Sequence, residues 1–253
     1  MATWQVPQDF PVLKNDRVHI WHANLNLPPQ QIDCLRILLS QDEIVRADKF
    51  RFARHQIRFV AARGILRQLL GRYLNISPQD LSFTYGSKGK PDLERARAFP
   101  IQFNLSHSQE HALFGFSRQH SIGVDLEYQR PMPDALKIAR RFFSPNEFQM
   151  LAKSSPETQA QLFFQLWTAK EAYLKAIGTG LADSLASVEI ACNLRNSMFI
   201  SAIGQSSETI TNWSLYSCTP ATNYAAAIAI RSLGAKINLD YWHWQPNIFD
   251  PLG

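Results

Sequence analysis

The stretch Phe163-Phe164-Gln165-Leu166-Trp167-Thr168-Ala169-Lys170-Glu171-Ala172-Tyr173-Leu174-Lys175-Ala176-Ile177-Gly178-Thr179-Gly180-Leu181 carries more information than any other in the chain. From Gln161 to Ile177 it has few β-branched residues and no Pro or Gly, which predicts a helix. Gly178 and Gly180 follow where glycine commonly ends helices. Phe163, Leu166, Leu174 and Ile177 form an apolar stripe at helical spacing. Trp167, Glu171 and Lys175 fall at i, i+4 and i+8 on a second stripe. Taken alone, Glu171 and Lys175 read as an exposed ion pair of small energetic value.

A second acidic segment weighs against that reading. Ser121-Ile122-Gly123-Val124-Asp125-Leu126-Glu127 alternates apolar and acidic residues, which predicts a strand. Asp125 and Glu127 then project from one face, with Val124 and Leu126 on the other. Two adjacent carboxylates repel, and burial raises their pKa values. A divalent cation removes that penalty. Oxygen ligands without a nearby Cys or His set suit Mg²⁺ better than Zn²⁺. An edge strand carrying its charges in water is the other reading.

Gly123 to Glu127 has the form G-x-D-x-E. Trp167 to Lys175 has the form W-x-x-K-E-[AS]-x-x-K, followed by the G-x-G-L of Gly178 to Leu181. In this order the pair resembles the 4′-phosphopantetheinyl transferases of the surfactin-synthetase-activating (Sfp) type. Either motif alone is weak, but two upstream segments agree. Gly86-Ser87-Lys88-Gly89-Lys90-Pro91 is a Gly-rich turn with two lysines, able to bring N–H and ammonium groups against phosphate. Its Gly89-Lys90-Pro91 matches the family's G-K-P. Phe103-Asn104-Leu105-Ser106-His107 matches F-N-[IL]-S-H.

The resemblance implies transfer of the 4′-phosphopantetheine arm of coenzyme A to a serine of an apo carrier protein, releasing adenosine 3′,5′-bisphosphate. The carrier belongs to a fatty-acid, polyketide or peptide synthase. The resemblance assigns Mg²⁺, with Mn²⁺ as an alternative, to Asp125, Glu127 and Glu171. Glu171 and Lys175 are the catalytic pair, and Lys170 has a supporting role. Arg46, Arg58, Lys88, Gly89, Lys90, Pro91, Asn104, Ser106, His107 and Lys175 are the implied coenzyme A contacts, with Ser106 and His107 on the 3′-phosphate. Glu43 stands where relatives carry a lysine, which leaves a phosphate contact to be replaced. Arg140-Arg141-Phe142-Phe143 is the implied carrier-protein surface. Two other functions fit the bare residues: another Mg²⁺-dependent enzyme, such as a phosphohydrolase, or a non-catalytic coenzyme A or nucleic-acid-binding module.

A chain of 253 residues with net charge +5 fits a polyanionic partner. The basic residues are dispersed and no nucleic-acid-binding motif is present, so no nucleic-acid partner is expected. No apolar run reaches membrane-helix length, and Met1 to Lys14 has no secretory pattern. Cys34, Cys192 and Cys218 lack metal spacing and read as reduced thiols of a cytoplasmic protein.

Periodicity gives a strand at Val18–Ala23, a helix from Pro28 to Leu39 and a capping box at Ser40–Glu43. Further on come a helix over Arg58–Leu74 and a strand at Leu81–Tyr85. Met198–Thr211 reads as a loop, and Tyr224–Ile230 as a central strand. Tyr241-Trp242-His243-Trp244 reads as an aromatic pin for the tail. The order of elements predicts α+β. The resemblance adds two similar α/β lobes related by a pseudo-twofold, with the active site between them. It places a coenzyme A lobe at 1–119 and a metal and catalytic lobe at 120–253, in a monomer.

Overall fold

The computed structural model describes residues 2–86, 89–94, 101–178, 185–192, 198–204 and 209–246. Lys88, Gly180 and Leu181 lie outside them. The fold is α+β. In order it runs β1 (Arg17–Asn24), α1 (Pro29–Ile37), α2 (Gln41–Asp48), α3 (Ala53–Leu74), β2 (Phe83–Tyr85), β3 (Pro91–Leu93), β4 (Gln102–Ser108), β5 (His111–Ser117) and β6 (Ile122–Tyr128). Then follow α4 (Ala135–Phe142), α5 (Pro145–Lys153), α6 (Pro156–Ile177), β7 (Val188–Cys192), β8 (Met198–Ile203), β9 (Trp213–Cys218), β10 (Tyr224–Arg231) and β11 (Asn238–His243). Among the described residues no helix is long and apolar enough to cross a membrane.

Two sheets carry the architecture, ordered β11-β1-β5-β4 and β6-β10-β9. Strand alternation gives each sheet two apolar faces. The outer face of the first, with Trp21, Phe114 and Phe116, packs under Val60, Ile65, Leu66 and Leu69 of α3. The outer face of the second, with Ala225, Ala227 and Ala229, packs under Ala169, Ala172 and Ala176 of α6. The inner faces meet through Val18, Ile20 and Leu113 against Ile122, Val124, Leu126 and Ile228. The layers therefore run helix, sheet, sheet, helix, and α3 and α6 are both 22 residues long.

The seam between the sheets is closed by side chains. β6 is an edge strand, and its outward N–H groups need partners. Val124 N–H donates to Asn104 Oδ1 at 2.8 Å, Leu126 N–H to Ser106 Oγ at 3.3 Å and Tyr128 N–H to Ser108 Oγ at 3.1 Å. Asn104, Ser106 and Ser108 alternate along β4, so one face of that strand supplies all three acceptors.

Helix ends follow local chemistry. Ser144 and Glu147 form a capping box at α5, and Ser40 and Glu43 form one at α2. Gly178, with φ 75°, ends α6 in the left-handed region. Buried Lys170 donates to both Glu147 oxygens, at 2.8 and 2.6 Å, and to the Val188 carbonyl at 2.5 Å. This ion pair ties α6 to α5 and β7, so Lys170 supports the fold away from the chemistry.

Three expectations change. α3 begins at Ala53, earlier than Arg58. The expected loop at Met198–Thr211 contains β8, in which buried Met198 and Ile200 alternate with outward residues over too short a run to stand out. The aromatic tail does pin to the first core, through buried Trp244, but it does so as a strand: β11 pairs parallel with β1. Residues 238–243 thus complete the first sheet, although they follow the second in sequence.

Candidate active site

Gly123 lets the two motifs meet. A Cβ at this position would lie 2.0 Å from the Ala172 carbonyl oxygen and 2.4 Å from the Ala176 nitrogen of α6. The glycine of G-x-D-x-E is therefore a close-packing residue, and the alanines of α6 and β10 extend the same small-residue surface. The approach brings Glu171 and Lys175 beside Asp125.

Asp125 is 3% exposed. Its Oδ1 accepts from Lys175 Nζ at 2.6 Å and from Ser106 Oγ at 2.9 Å. Lys175 Nζ also donates to Ser106 Oγ at 2.9 Å. Glu171 is 4% exposed, so the surface ion-pair reading fails: Lys175 pairs with Asp125 of β6. Half-buried Glu127 accepts from Ser108 Oγ at 2.9 Å, so this acidic strand does not simply carry its charges in water.

Burial pushes the Glu171 carboxyl up to about 7, Asp125 and Glu127 add to the shift, and Lys175 opposes it. Burial and then Asp125 likewise raise Glu127. Asp125 Oδ2 and Glu171 Oε1 are buried without a hydrogen-bond partner. Among the described residues no three His, Cys, Asp or Glu side chains are drawn into a ready metal-binding group. The two orphaned oxygens nevertheless fit a hard divalent cation, since buried carboxylate oxygens otherwise keep a partner.

A cleft of about 320 Å³ adjoins the carboxylates. Arg46, Gly89, Pro91, Ser106, His107 and Lys175 line it as the sequence leads one to expect, joined by Phe50, Phe59, Arg63 and Tyr85. Lys175 touches both the cleft and Asp125. The His107 imidazole is held below its ordinary pKa, first by loss of hydration around the ring and then by Lys175, Arg58, Arg46 and His55. The region is thus densely cationic.

Other expected contacts have different partners here. Lys90 Nζ donates to the Lys175 and Ala176 carbonyls at 2.8 and 3.4 Å, capping the C-terminal end of α6. Burial lowers its pKa. Asn104 lies in the seam. Ser106 is engaged by Asp125, Lys175 and the Leu126 N–H. Arg58 bonds Gln109 and Glu110 at the rim, at 3.1 and 3.4 Å. Glu43 is buried between Arg63 and Arg67. Arg63 and Tyr85 were not anticipated as cleft residues. The signal available was Phe59, Arg63 and Arg67 at i, i+4 and i+8 on an otherwise inward-facing stripe.

Residues 26–116 match the family described as 4′-phosphopantetheinyl transferase, N-terminal. Residues 121–229 match the 4′-phosphopantetheinyl transferase superfamily. The chain is similar to 4′-phosphopantetheinyl transferase HetI of Nostoc sp., at 40% identity over 243 residues, covering 96% of this chain and 98% of that protein. It is similar to 4′-phosphopantetheinyl transferase gsp of Aneurinibacillus migulanus at 37% identity over 134 residues, covering 49% of this chain and 54% of that one. A solved holo-(acyl-carrier-protein) synthase from Bacillus anthracis aligns at 22% identity with a TM-score of 0.37, covering 44% of this chain and 93% of that chain. The motif strands β4 and β6 and the motif helix α6 thus fall within matched segments, and the near full-length relative spans the seam that joins them: the chain belongs to the 4′-phosphopantetheinyl transferase superfamily.

Proposed function

We propose that the chain moves the 4′-phosphopantetheine arm of coenzyme A onto a serine of an apo carrier protein, using the cleft for coenzyme A and the adjoining carboxylates for the chemistry. The observation that carries this reading is Lys175, which lines the cation-rich cleft and bonds Asp125 at 2.6 Å. It brings a positive charge to the boundary between phosphate and acid. The serine oxygen attacks the phosphorus that bears the pantetheine arm, and adenosine 3′,5′-bisphosphate leaves. The attacking group is weak and the diphosphate is anionic, so positioning and charge neutralisation dominate.

Each residue has a role in that scheme. Glu171, with its carboxyl pushed up to about 7, is poised to take the serine proton. Lys175 offsets charge on the transferred phosphate, and Ser106 orients both Lys175 and Asp125. Arg46 and His107 hold phosphate in the cleft, and Gly89 and Pro91 shape its wall. Asp125, Glu127 and Glu171 would hold Mg²⁺ or Mn²⁺, which supplies further neutralisation of the diphosphate. On α4, Arg140 and Arg141 are exposed and Phe142 is half-buried, which fits an acidic carrier surface. Phe143 is buried against Phe163, so it belongs to the core rather than to that surface. The enzyme acts as a monomer in the cytoplasm, consistent with free Cys34, Cys192 and Cys218.

Incubation with coenzyme A, Mg²⁺ and an apo carrier protein tests this reading. The carrier should gain one phosphopantetheine by mass, and excess EDTA should prevent it. Hydrolysis of coenzyme A without carrier modification would favour a phosphohydrolase. Binding without either reaction would favour a non-catalytic module.

A further inference from the structure

α2 and α3 meet around a buried ionic cluster. Glu43 is 1% exposed, Arg63 5% and Arg67 1%. Arg63 Nε lies 2.5 Å from Glu43 Oε1, and Arg67 Nε lies 2.6 Å from Glu43 Oε2. Among the described residues no other carboxylate pairs with either guanidinium. One carboxylate between two guanidinium groups leaves a positive charge without a counter-ion, and an uncompensated buried charge is costly.

The two arginines point in different directions. Arg67 turns inward, donating from Nη1 to the Pro78 and Leu81 carbonyls at 2.8 and 3.0 Å. Arg63 turns to the cleft, which it lines together with Tyr85. It donates from Nη2 to the Tyr85 hydroxyl and stands 4.8 Å over the Phe83 ring and 5.5 Å over the Tyr85 ring. Tyr85 takes one of the five N–H donors of a planar fork suited to phosphate, and Glu43 pairs ionically with the guanidinium on its Nε side. The surplus charge of the cluster is therefore presented to the cleft on a group held rigid from three sides.

We propose that Arg63 anchors a phosphate group of the substrate at the cleft floor, with Glu43 and Arg67 as positioning residues. The proposal rests on the reading of this cleft as the coenzyme A site. It also gives Glu43 a purpose. The lysine expected at that position would have carried its own charge, whereas Glu43 fixes an arginine that carries the charge instead.

The test is calorimetric binding of coenzyme A, dephospho-coenzyme A and adenosine 3′,5′-bisphosphate to wild type, Arg63→Met and Arg63→Lys, each checked for folding by thermal melting. Loss of a charge-assisted phosphate contact should weaken coenzyme A binding by roughly 10- to 100-fold in Arg63→Met. KM should rise by a similar factor while kcat changes little, and the dependence of log Kd on log salt should flatten. A merely structural role would not move the salt slope. A loss confined to ligands bearing the 3′-phosphate assigns Arg63 to that group, and an equal loss for dephospho-coenzyme A assigns it to the diphosphate. If Arg63→Met does not fold, Arg63→Lys decides: it keeps the charge but loses the fork, and a loss of about 5-fold or more is expected. Wild-type affinity for coenzyme A in a folded Arg63→Met, or in Arg63→Lys where that variant decides, overturns the proposal while leaving the transferase reading intact. A wild-type protein that binds no coenzyme A overturns both.

Discussion

Replacing Gly123 by alanine puts one methyl group where β6 and α6 leave no room. The added carbon would sit 2.0 Å from the Ala172 carbonyl oxygen and 2.4 Å from the Ala176 nitrogen, both backbone atoms of α6. Comfortable non-bonded separations are about 3.5 Å, so the helix must recede by roughly 1 Å or more. Overpacking of this kind typically costs about 1–3 kcal/mol. In a chain of this size that lowers Tm by roughly 2–4 °C per kcal/mol. The larger consequence is chemical. Glu171 and Lys175 ride on the displaced helix while Asp125 stays on the strand, and a displacement of about 1 Å can cost on the order of 10²-fold in rate. Gly115→Ala is the matched control. Its added carbon would meet Ile122 Cδ1 at 2.7 Å and Val124 Cγ1 at 2.8 Å, so the clash falls on core side chains and not on the backbone of α6. Melting curves and initial rates of carrier phosphopantetheinylation should show Gly123→Ala losing both stability and rate, and Gly115→Ala losing stability with a near-normal rate. Wild-type turnover by Gly123→Ala would refute the claim that this close contact sets the geometry of the site.

Further outcomes follow from the charges. The Glu171 carboxyl rises from 4.5 to about 7 on folding, so its ionised form opposes the fold; that penalty is absent below pH 4.5, grows from there to pH 7 and is complete above it. In EDTA, Glu171→Gln should thus match wild-type stability at pH 4.5 and exceed it by up to about 3 kcal/mol at pH 8, and a difference independent of pH would contradict the assignment. Glu147→Gln should cost about 3–5 kcal/mol by stranding buried Lys170, with an apolar double replacement at both positions recovering much of it; denaturant titration giving less than about 1 kcal/mol for the single change would show the pair to be unimportant. His107 is held below its ordinary pKa in the free protein, and a bound phosphate would raise it, so coenzyme A affinity should increase as pH falls from 7 to 6. Calorimetry should show that increase in wild type and not in His107→Ala, and equal pH profiles would remove His107 from phosphate binding.

The sequence by itself determined the elements whose causes are local. The α6 helix, its glycine stop and the capping box at Ser40 depend on neighbours a few residues apart, and all three were readable. So was the placing of Asp125 and Glu127 on one face of β6, since strand alternation dictates it. The family motifs then named the reaction. Only the tertiary structure decided how those pieces are used. Lys175 looked like the helical partner of Glu171 but bonds Asp125, because Gly123 and three alanines let a distant strand come closer to it. Lys90, expected at a phosphate, donates to the carbonyl that ends α6, and Asn104, expected at coenzyme A, accepts from the β6 edge. Glu43 looked like a missing cation and proved to be the clamp on one. The tail read as an aromatic pin and became the outer strand of the first sheet, paired with β1 from the opposite end of the chain. In each case the partner lies far away in sequence, and a polar side chain takes whichever unsatisfied group folding brings to it; periodicity records which face a residue is on, not what waits there.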